Sequence, residues 1–517
     1  MRRPSFHLFV LALAFGCTAS LRAEVKLPGV FSDHMVLQRE QKLPVWGTAA
    51  PGEEVKVTLG DSAQATKADE TGAWRVDLPP QQLGPARKLI VSGTNTIEIQ
   101  DVLIGDVWIG SGQSNMAGGV NGYAKNDETL AAWCEETYPN LRLCRGNGGR
   151  WQEATPQNIK GFSALLFSFG RQLQADLDVP VGLIVGAVGG TPSGRWLSPE
   201  MLEASEPCQA LIAEHSGKQQ FEKQLAAYET AHAAWQKEAE AAKAAGKQPP
   251  REPAKPVRVG QIRGGRVGDL YEANIQPVVP YAIRGVLWDQ GESGTALEGL
   301  DQFNVMGALI GGWRQAWGQG DFPFLYVQKP SGGGCAWDPK DSITARAEAF
   351  TSLPAKPAQG NEGGYRELHS RIMRHPNTAM VTARDLGSGV HPTNKSGYGR
   401  RAARVALGFA YEKGTEIYGP LYDSHKVEGK QIRVKFAHVG QGLASKHGEG
   451  LQGFQIAGND GVFHWADAKI EGDSVIVSSG EVPEPAAVRY AWSQNAPWAN
   501  LFNQDGLPAL PFRTDGE

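Results

Sequence analysis

Cysteine is scarce in this sequence, which contains five cysteines among 517 residues. One of them, Cys17, lies near the N-terminus, and the other four are too few and too scattered for a disulfide-stapled fold. Cys134 and Cys144 are near enough in sequence to pair across a short loop, and free buried thiols are the alternative. No CxxC or HExxH motif occurs, so the sequence predicts no metal site.

An excess of charge of one sign is also missing. The 51 Lys and Arg residues nearly balance the 55 Asp and Glu residues, which leaves a net charge of −4. This balance argues against nucleic acid or an anionic membrane as a partner. The apolar fraction of 41% and the charged fraction of 21% are typical of a globular chain and exclude wholesale disorder.

Long apolar runs are absent after the first 23 residues, so we expect a soluble mature chain. Residues 1–23 resemble an export signal, with Arg2 and Arg3 ahead of an apolar stretch at 8–15 that is too short to span a bilayer. The segment predicts a secreted or periplasmic protein. A lipoprotein modified at Cys17 is an alternative that Phe15 fits poorly.

Two flanking regions show the alternation of apolar and polar residues that is typical of antiparallel strands. In residues 24–100 the alternation includes Val55, Val57 and Leu59, and turn residues separate the short runs. The same pattern returns in residues 418–517, with hairpin turns between the runs. We therefore predict an N-terminal and a C-terminal antiparallel β domain.

The region between them, residues 101–417, alternates short buried strands with helical stretches. Strands are predicted at 107–109, 181–188, 283–288, 322–327 and 379–383, and helices near 301–317, 365–374 and 395–412. This order predicts an α/β domain in which a parallel sheet carries helices on both faces. Residues 219–256 interrupt the domain as a helical insertion that ends in a proline-rich linker.

The loop after the first strand of the α/β domain, residues 110–116, has the sequence GSGQSNM. It does not match a dinucleotide-binding fingerprint, which needs glycine where Asn115 stands. It also does not match the GxSxG nucleophile elbow, which needs glycine at Met116. What remains is a serine, Ser114, at the carboxyl end of a strand, where open α/β sheets bind ligands. The alternative is that Ser114 merely caps a helix.

Three further strand ends bring residues with useful chemistry to the same edge. Gly189 and Gly190 follow the second strand and offer backbone N–H groups for an oxyanion. Gln290 and Glu292 follow the third and offer an amide and a carboxylate. His391 follows the last strand. A serine, donors, a carboxylate and a histidine on successive strand ends favour an active site over coincidence.

With these motifs the chain resembles the sialate O-acetylesterases of the SGNH-hydrolase group, and through them the acetylxylan-type carbohydrate esterases. The resemblance covers nearly all of the chain beyond residue 23, apart from the insertion. The segments that carry it are 105–108, 112–116, 189–192, 288–293, 391–392 and 394–395, together with 37–39, 44–47, 453–458, 488–492 and 506–508 in the flanking domains.

The resemblance implies hydrolysis of an O-acetylated carbohydrate without a metal or other cofactor. Ser114 would be the nucleophile and His391 the general base and acid. The backbone N–H of Ser114, that of Gly189 or Gly190, and the Gln290 amide would bind the oxyanion.

One departure from the family pattern concerns the acid that orients the histidine. The family carries an aspartate two or three residues before His391, where this chain has Gly389 and Ser388. Asp385 is the nearest upstream carboxylate, and Glu292 lies on a loop at the same sheet edge. We predict that Glu292 is the catalytic acid and keep Asp385 as the alternative.

Two functions follow from these observations. The first is a hydrolase that removes O-acetyl groups from sialic acid or from an acetylated polysaccharide through an acetyl-enzyme. The second is a carbohydrate-binding protein with a degenerate esterase site, which the missing aspartate and the 44 aromatic residues would suit (14 Trp, 12 Tyr and 18 Phe). The presence of Ser114, Gln290 and His391 together favours the hydrolase.

Overall fold

The computed structural model describes residues 24–516, and the predicted export signal at 1–23, with Cys17, lies outside them. Short strands form the N-terminal β domain: β1 (Val36–Gln38), β2 (Leu43–Thr48), β3 (Glu54–Leu59), β4 (Ser62–Lys67), β5 (Ala73–Leu78) and β6 (Arg87–Ser92). β3 pairs antiparallel with β4 and β6, and β2 pairs antiparallel with β5. The alternating residues of β3 point their apolar side chains inward, as predicted.

The strand β7 (Thr96–Gly112) belongs to two domains at once. Its first half pairs antiparallel with β6, and its second half lies in the parallel sheet of the central domain. The predicted domain boundary at residue 100 therefore falls inside one continuous strand. The sequence pattern changes there because β7 is half-exposed before residue 102 and buried on both faces after it.

The central sheet has the strand order β13-β12-β11-β7-β10-β8-β9, and all its neighbours are parallel except the pair β8 and β9. The strands that join β7 are β8 (Tyr138–Arg145), β9 (Gln152–Ala154), β10 (Val181–Ala187), β11 (Gly285–Asp289), β12 (Phe324–Val327) and β13 (Thr378–Val381). The predicted parallel sheet is confirmed. The sequence analysis did not identify β8 as one of its strands.

Helices pack on both faces of this sheet. Trp288 on β11 pairs with Ser111 of β7, and Ser111 is three residues after Trp108 on that strand. Because side chains alternate along a strand, Trp108 and Trp288 point to opposite faces of the sheet. Trp108 contacts Phe169 of the long helix α5, and Trp288 contacts Trp313 of α10. The helices are α1 (Ser114–Ala117), α2 (Val120–Tyr123), α3 (Glu128–Trp133), α4 (Pro156–Lys160), α5 (Ala164–Leu177), α6 (Pro199–Glu203), α7 (Glu206–Lys218), α8 (Phe221–Ala244), α9 (Asp269–Asn274), α10 (Gln302–Trp317), α11 (Gly364–Arg371) and α12 (Lys395–Phe409). In the described part of the chain, no helix is both long enough and apolar enough to cross a bilayer.

The C-terminal domain consists of antiparallel strands around a core of its own. Arg384, a buried residue of the central domain, donates hydrogen bonds to two carbonyls of this domain, those of Ala496 (2.7 Å) and Ala509 (3.1 Å). Its strands are β14 (Leu421–Glu428), β15 (Gln431–Ala437), β16 (Leu443–Ser445), β17 (Phe454–Ala457), β18 (His464–Trp465), β19 (Asp467–Glu471), β20 (Ser474–Ser478), β21 (Ala487–Tyr490), β22 (Leu501–Asn503) and β23 (Phe512–Arg513).

The helical insertion consists of α8 and a proline-rich segment that returns along it. The Trp235 indole donates to the carbonyl of Pro250 at 2.8 Å. At its base, the Gln219 side chain donates to the carbonyl of Val257 and accepts from the N–H of Val259. The side chain of Gln219 therefore links the beginning of the insertion to the residues that directly follow it.

The four cysteines of residues 24–516 are free and buried. Cys134 directly follows α3 and Cys144 lies on β8, so the pairing considered from sequence is not formed. Burial raises the pKa of the Cys144 thiol to about 12, which keeps it protonated at neutral pH.

Candidate active site

Ser114 is the first residue of α1 and follows a sharp turn at the end of β7. The turn needs Gly112, whose φ is +124° and where a Cβ atom would lie 2.1 Å from the carbonyl oxygen of Asp289. The N-cap position of α1 is Gln113, and no side chain caps the helix. The helix-cap alternative for Ser114 therefore does not apply, and its hydroxyl is left for other contacts.

The Ser114 hydroxyl contacts His391, although the two residues are 277 positions apart in the chain. Oγ of Ser114 lies 2.8 Å from Nε2 of the exposed His391, on the loop between β13 and α12. For the hydroxyl to donate to Nε2, the ring must carry its own proton on Nδ1. Within residues 24–516 no group forms a hydrogen bond with that Nδ1 atom. The structure thus brings together the two residues at the centre of the predicted site.

The Asn115 side chain binds the loop that carries His391. This side chain is 1% exposed, and its Nδ2 donates to the carbonyl of Val390 at 3.0 Å and to Oε1 of Glu292 at 3.1 Å. Its Oδ1 accepts from Nζ of Lys395 at 2.6 Å. The residue next to the nucleophile therefore fixes the backbone directly before the histidine.

A buried charge cluster of Asp289, Glu292 and Lys329 lies beneath the site. Nζ of Lys329 is fully buried and lies 2.7 Å from Asp289 and 2.9 Å from Glu292. Burial lowers the pKa of this lysine, but the two carboxylates outweigh burial and raise its pKa above the usual value. Sequence analysis missed Lys329. The signal that marks it is its place two residues after β12, at the same sheet edge as the other site residues.

The second buried lysine of the site, Lys395, has a different environment. Its Nζ lies 4.6 Å from the ring centre of Tyr123 and 5.2 Å from that of Tyr398. Burial lowers its pKa to about 7, against the opposing effect of nearby carboxylates. Its ammonium is thus held mainly by aromatic faces and by the Asn115 oxygen.

Neither of the two candidate acids contacts His391. Glu292 has Asn115 and Lys329 as its partners. Asp385 is fully buried, and its two oxygens bind Arg401 at 3.0 Å and 2.8 Å. Asp385 is thus committed to an ion pair, and the assignment of Glu292 as the acid stays a prediction.

The two predicted oxyanion glycines form an exposed turn after β10. A Cβ atom at Gly189 would lie 3.6 Å from Cβ of Ser114, so this turn runs beside the nucleophile. In the described structure the N–H groups of Gly189 and Gly190 have no hydrogen-bond acceptor. Gly190 also has φ of +70°, a conformation that glycine adopts without strain.

Gln290, the third predicted oxyanion donor, is engaged elsewhere. Its buried amide nitrogen lies 2.8 Å from the carbonyl oxygen of Gly294 and 3.4 Å from that of Thr191. Its amide oxygen accepts from Gln302 at 3.0 Å. In this conformation the side chain connects the loops after β10 and β11, and its role as an oxyanion donor stays a prediction.

Comparison with known proteins agrees with this geometry. Residues 104–230, which hold Ser114 and the glycine turn, match the family described as carbohydrate esterase, sialic acid-specific acetylesterase. Human sialate O-acetylesterase is 26% identical over 568 aligned positions, which cover 97% of this chain and 95% of the human protein. The mouse protein of the same name is 26% identical over 81% of this chain and 79% of its own length.

Among solved structures, a carbohydrate acetylesterase from Xanthomonas citri is similar to this chain with a TM-score of 0.72. The two share 28% identity, and the match covers 95% of this chain and all of the other. The match includes the flanking β domains as well as the central sheet. The chain is therefore similar over nearly its whole length to sialate O-acetylesterases and to a carbohydrate acetylesterase, and it is a carboxylic ester hydrolase, as its motifs predict.

Proposed function

We propose that the protein removes O-acetyl groups from a carbohydrate through a Ser114 nucleophile and an acetyl-enzyme intermediate. The observation that carries the proposal is the 2.8 Å contact between Oγ of Ser114 and Nε2 of His391 at the edge of the sheet where α/β enzymes bind ligands. A nucleophile and base within hydrogen-bond reach are the minimum for this chemistry.

In the first half-reaction, Oγ of Ser114 attacks the acetyl carbonyl carbon while Nε2 of His391 takes the hydroxyl proton. The tetrahedral intermediate collapses as the C–O bond to the sugar breaks, and the imidazolium returns the proton to the departing sugar oxygen. The products are the free sugar hydroxyl and an acetyl ester on Ser114.

In the second half-reaction, water replaces the sugar. His391 takes one proton from the water, whose oxygen attacks the acetyl carbonyl, and this proton then returns to Oγ of Ser114 as the C–O bond to the serine breaks. The product leaves as acetic acid, which releases its proton to solvent to give acetate. Ser114 and His391 are the protein groups that react in both half-reactions.

The developing oxyanion has two backbone donors beside the nucleophile, the N–H groups of Ser114 and Gly189. Both lack an acceptor in the described structure, so neither needs to break a hydrogen bond in the transition state. Gln290 keeps the Thr191 carbonyl, and with it the glycine turn, in place. Glu292, the predicted acid, acts on His391 through Asn115, whose Nδ2 donates both to Oε1 of Glu292 and to the carbonyl of Val390.

The substrate side of the proposal is an O-acetylated carbohydrate, either an acetylated sialic acid, as named in the relatives, or an acetylated polysaccharide. The protein acts outside the cytoplasm, secreted or periplasmic, a location that rests on the predicted signal at 1–23.

Hydrolysis of p-nitrophenyl acetate and of a panel of acetylated sugars by the purified protein tests the proposal. The wild type is expected to release acetate, and Ser114→Ala is expected to lose that activity. Ser445→Ala, an exposed serine on β16, is the matched control and should behave as the wild type. Binding of sugars without acetate release would instead support the degenerate-site alternative.

A further inference from the structure

A cleft with a volume of about 510 Å³ opens beside the loop that carries His391. Its walls come from three parts of the chain: the strand-end loops, the loop before α11, and the C-terminal domain. The residues that line it include Glu292, Glu362, Tyr365, Val390, Gln494 and Asn495. Val390, which lines the cleft, is the residue next to His391 and its carbonyl is bound by Asn115, so the cleft adjoins the proposed catalytic pair.

Two carboxylates face this cleft, and they differ in their surroundings. Glu292 is 18% exposed and has the buried Lys329 behind it. Glu362 is exposed, and in the part of the chain that the structure describes it forms no ion pair and no hydrogen bond. Any molecule in the cleft therefore faces the Glu362 carboxyl group, which in the described structure has no cationic partner beside it.

No lysine or arginine is among the residues that line the cleft in the described structure. Two buried cations bind residues that line the cleft or its surroundings, and both are engaged by protein groups. Lys329 is held by its two carboxylates, and Arg366, 2% exposed, donates to the carbonyls of Gly332 and Gln494. Arg346, near Gly387, does not line the cleft and donates to the carbonyl of Asn126.

The remaining groups suit the hydroxyl and C–H groups of a sugar ring. Gln494 and Asn495 are amides that can donate and accept hydrogen bonds. Tyr365 exposes 37% of its surface, and its hydroxyl is fixed by the carbonyl of Gly291. A tyrosine held at its hydroxyl end presents an apolar ring face at low entropic cost.

We infer that this cleft binds the ring of a neutral O-acetylated sugar and disfavours sugars that carry a carboxylate, with Glu362 as the discriminating residue. The inference rests on the proposed function, since it describes the substrate of the same site. A carboxylate in this cleft would lose hydration and face Glu362 with no cation to pair with, which is how sites reject a like-charged ligand. The preferred substrate thus differs from the sialate named in the relatives.

The test uses two probes that differ only in charge: a methyl galactoside and a methyl galacturonoside, each acetylated at the same ring hydroxyl. The wild type is expected to show a kcat/KM at least about tenfold higher for the galactoside, an estimate for charges acting through a high effective dielectric. Salt should narrow the difference, because it screens exposed charges.

Variants at Glu362 show whether that residue causes the preference. Glu362→Gln should reduce the ratio of the two kcat/KM values, and Glu362→Lys should reduce it further or invert it. Glu70→Gln, which neutralises an exposed glutamate of the N-terminal domain, is the matched control and should leave the ratio at the wild-type value.

Equal kcat/KM values for the two probes in the wild type, or a ratio that the Glu362 variants do not change, would overturn the inference. Failure of the proposed function itself has a different signature. In that case neither probe nor p-nitrophenyl acetate is hydrolysed, or Ser114→Ala retains the activity.

Discussion

The strand-end site and the 219–256 insertion belong to the same domain but are built in opposite ways. The site consists of polar side chains from distant parts of the chain that bind one another: Asn115 binds Lys395 and Glu292, and Glu292 also binds Lys329. In α8 of the insertion only Ala239 is buried. The indole of Trp235 donates a hydrogen bond to the carbonyl of Pro250, which lies in the proline-rich segment of the same insertion. A substitution at the site should therefore affect distant residues, whereas the effect of a change in the insertion should stay local.

The largest effect is expected from removing the base. His391→Ala should lower kcat by a factor of roughly 10⁴ or more, because Ser114 and His391 act as one unit. The exposed imidazole leaves no cavity, so the melting temperature should remain close to that of the wild type. Steady-state kinetics and a thermal melt measure both quantities. Substantial remaining activity would remove His391 from the mechanism.

The two acid candidates offer the next contrast. Glu292→Gln should lower kcat by up to about 10⁴, the cost of losing an orienting acid. Asp385→Asn should mainly lower stability, because it leaves the buried Arg401 without its carboxylate. Measuring kcat and the free energy of unfolding for both variants separates the roles. If Asp385→Asn were the inactive variant and Glu292→Gln the active one, the acid would be Asp385.

The buried charge cluster predicts a large effect on stability. Lys329→Met should lower the free energy of unfolding by about 3–5 kcal/mol, because it leaves Asp289 and Glu292 without their cation. Lys88→Met is the matched control, since Lys88 pairs with Glu98 on the surface at 2.8 Å. Exposed pairs are worth about 1 kcal/mol or less. Denaturant titrations of the two variants check the difference, and equal losses would contradict it.

The smallest effect is expected from the insertion. Replacing residues 220–256 with a short Gly/Ser linker should leave hydrolysis of p-nitrophenyl acetate unchanged, because Gln219 and Val257 already lie at the base of the insertion. Unfolding should remain cooperative. A loss of cooperativity would show that the insertion stabilises the main core. That result would contradict the expectation that changes in the insertion stay local.

Much of the fold follows from residue periodicity. The change from alternating to continuous apolar residues marks the entry into the parallel sheet, and the predicted helices appear as α10, α11 and α12. The strand β8 was missed because Pro139 and the buried Arg142 interrupt its apolar pattern. The continuity of β7 was missed because a change of pattern marks a change of environment and gives no information about where a strand ends.

For the site, position at strand ends was sufficient to bring Ser114 and His391 together. The partners of Glu292 and Gln290 were not predictable, because they depend on contacts among loops that follow different strands. Lys329 and Gln302 decide those contacts. The position of Lys329 after β12 places it at the same sheet edge but does not show which carboxylates it binds, and nothing in the local sequence of Gln302 marks it as a neighbour of the site. The strand topology therefore predicts which residues lie at the same edge of the sheet. The hydrogen bonds among those residues can be identified only from the packed structure.

In the proposed mechanism, Ser114 carries the acyl group. The most direct test is inactivation with an organophosphate ester, followed by intact mass and peptide mass spectrometry. We predict one adduct per chain, located on Ser114, with activity lost in proportion to labelling, and no adduct in Ser114→Ala. An active enzyme that forms no adduct, or an adduct on another residue that accounts for the inactivation, would contradict the account.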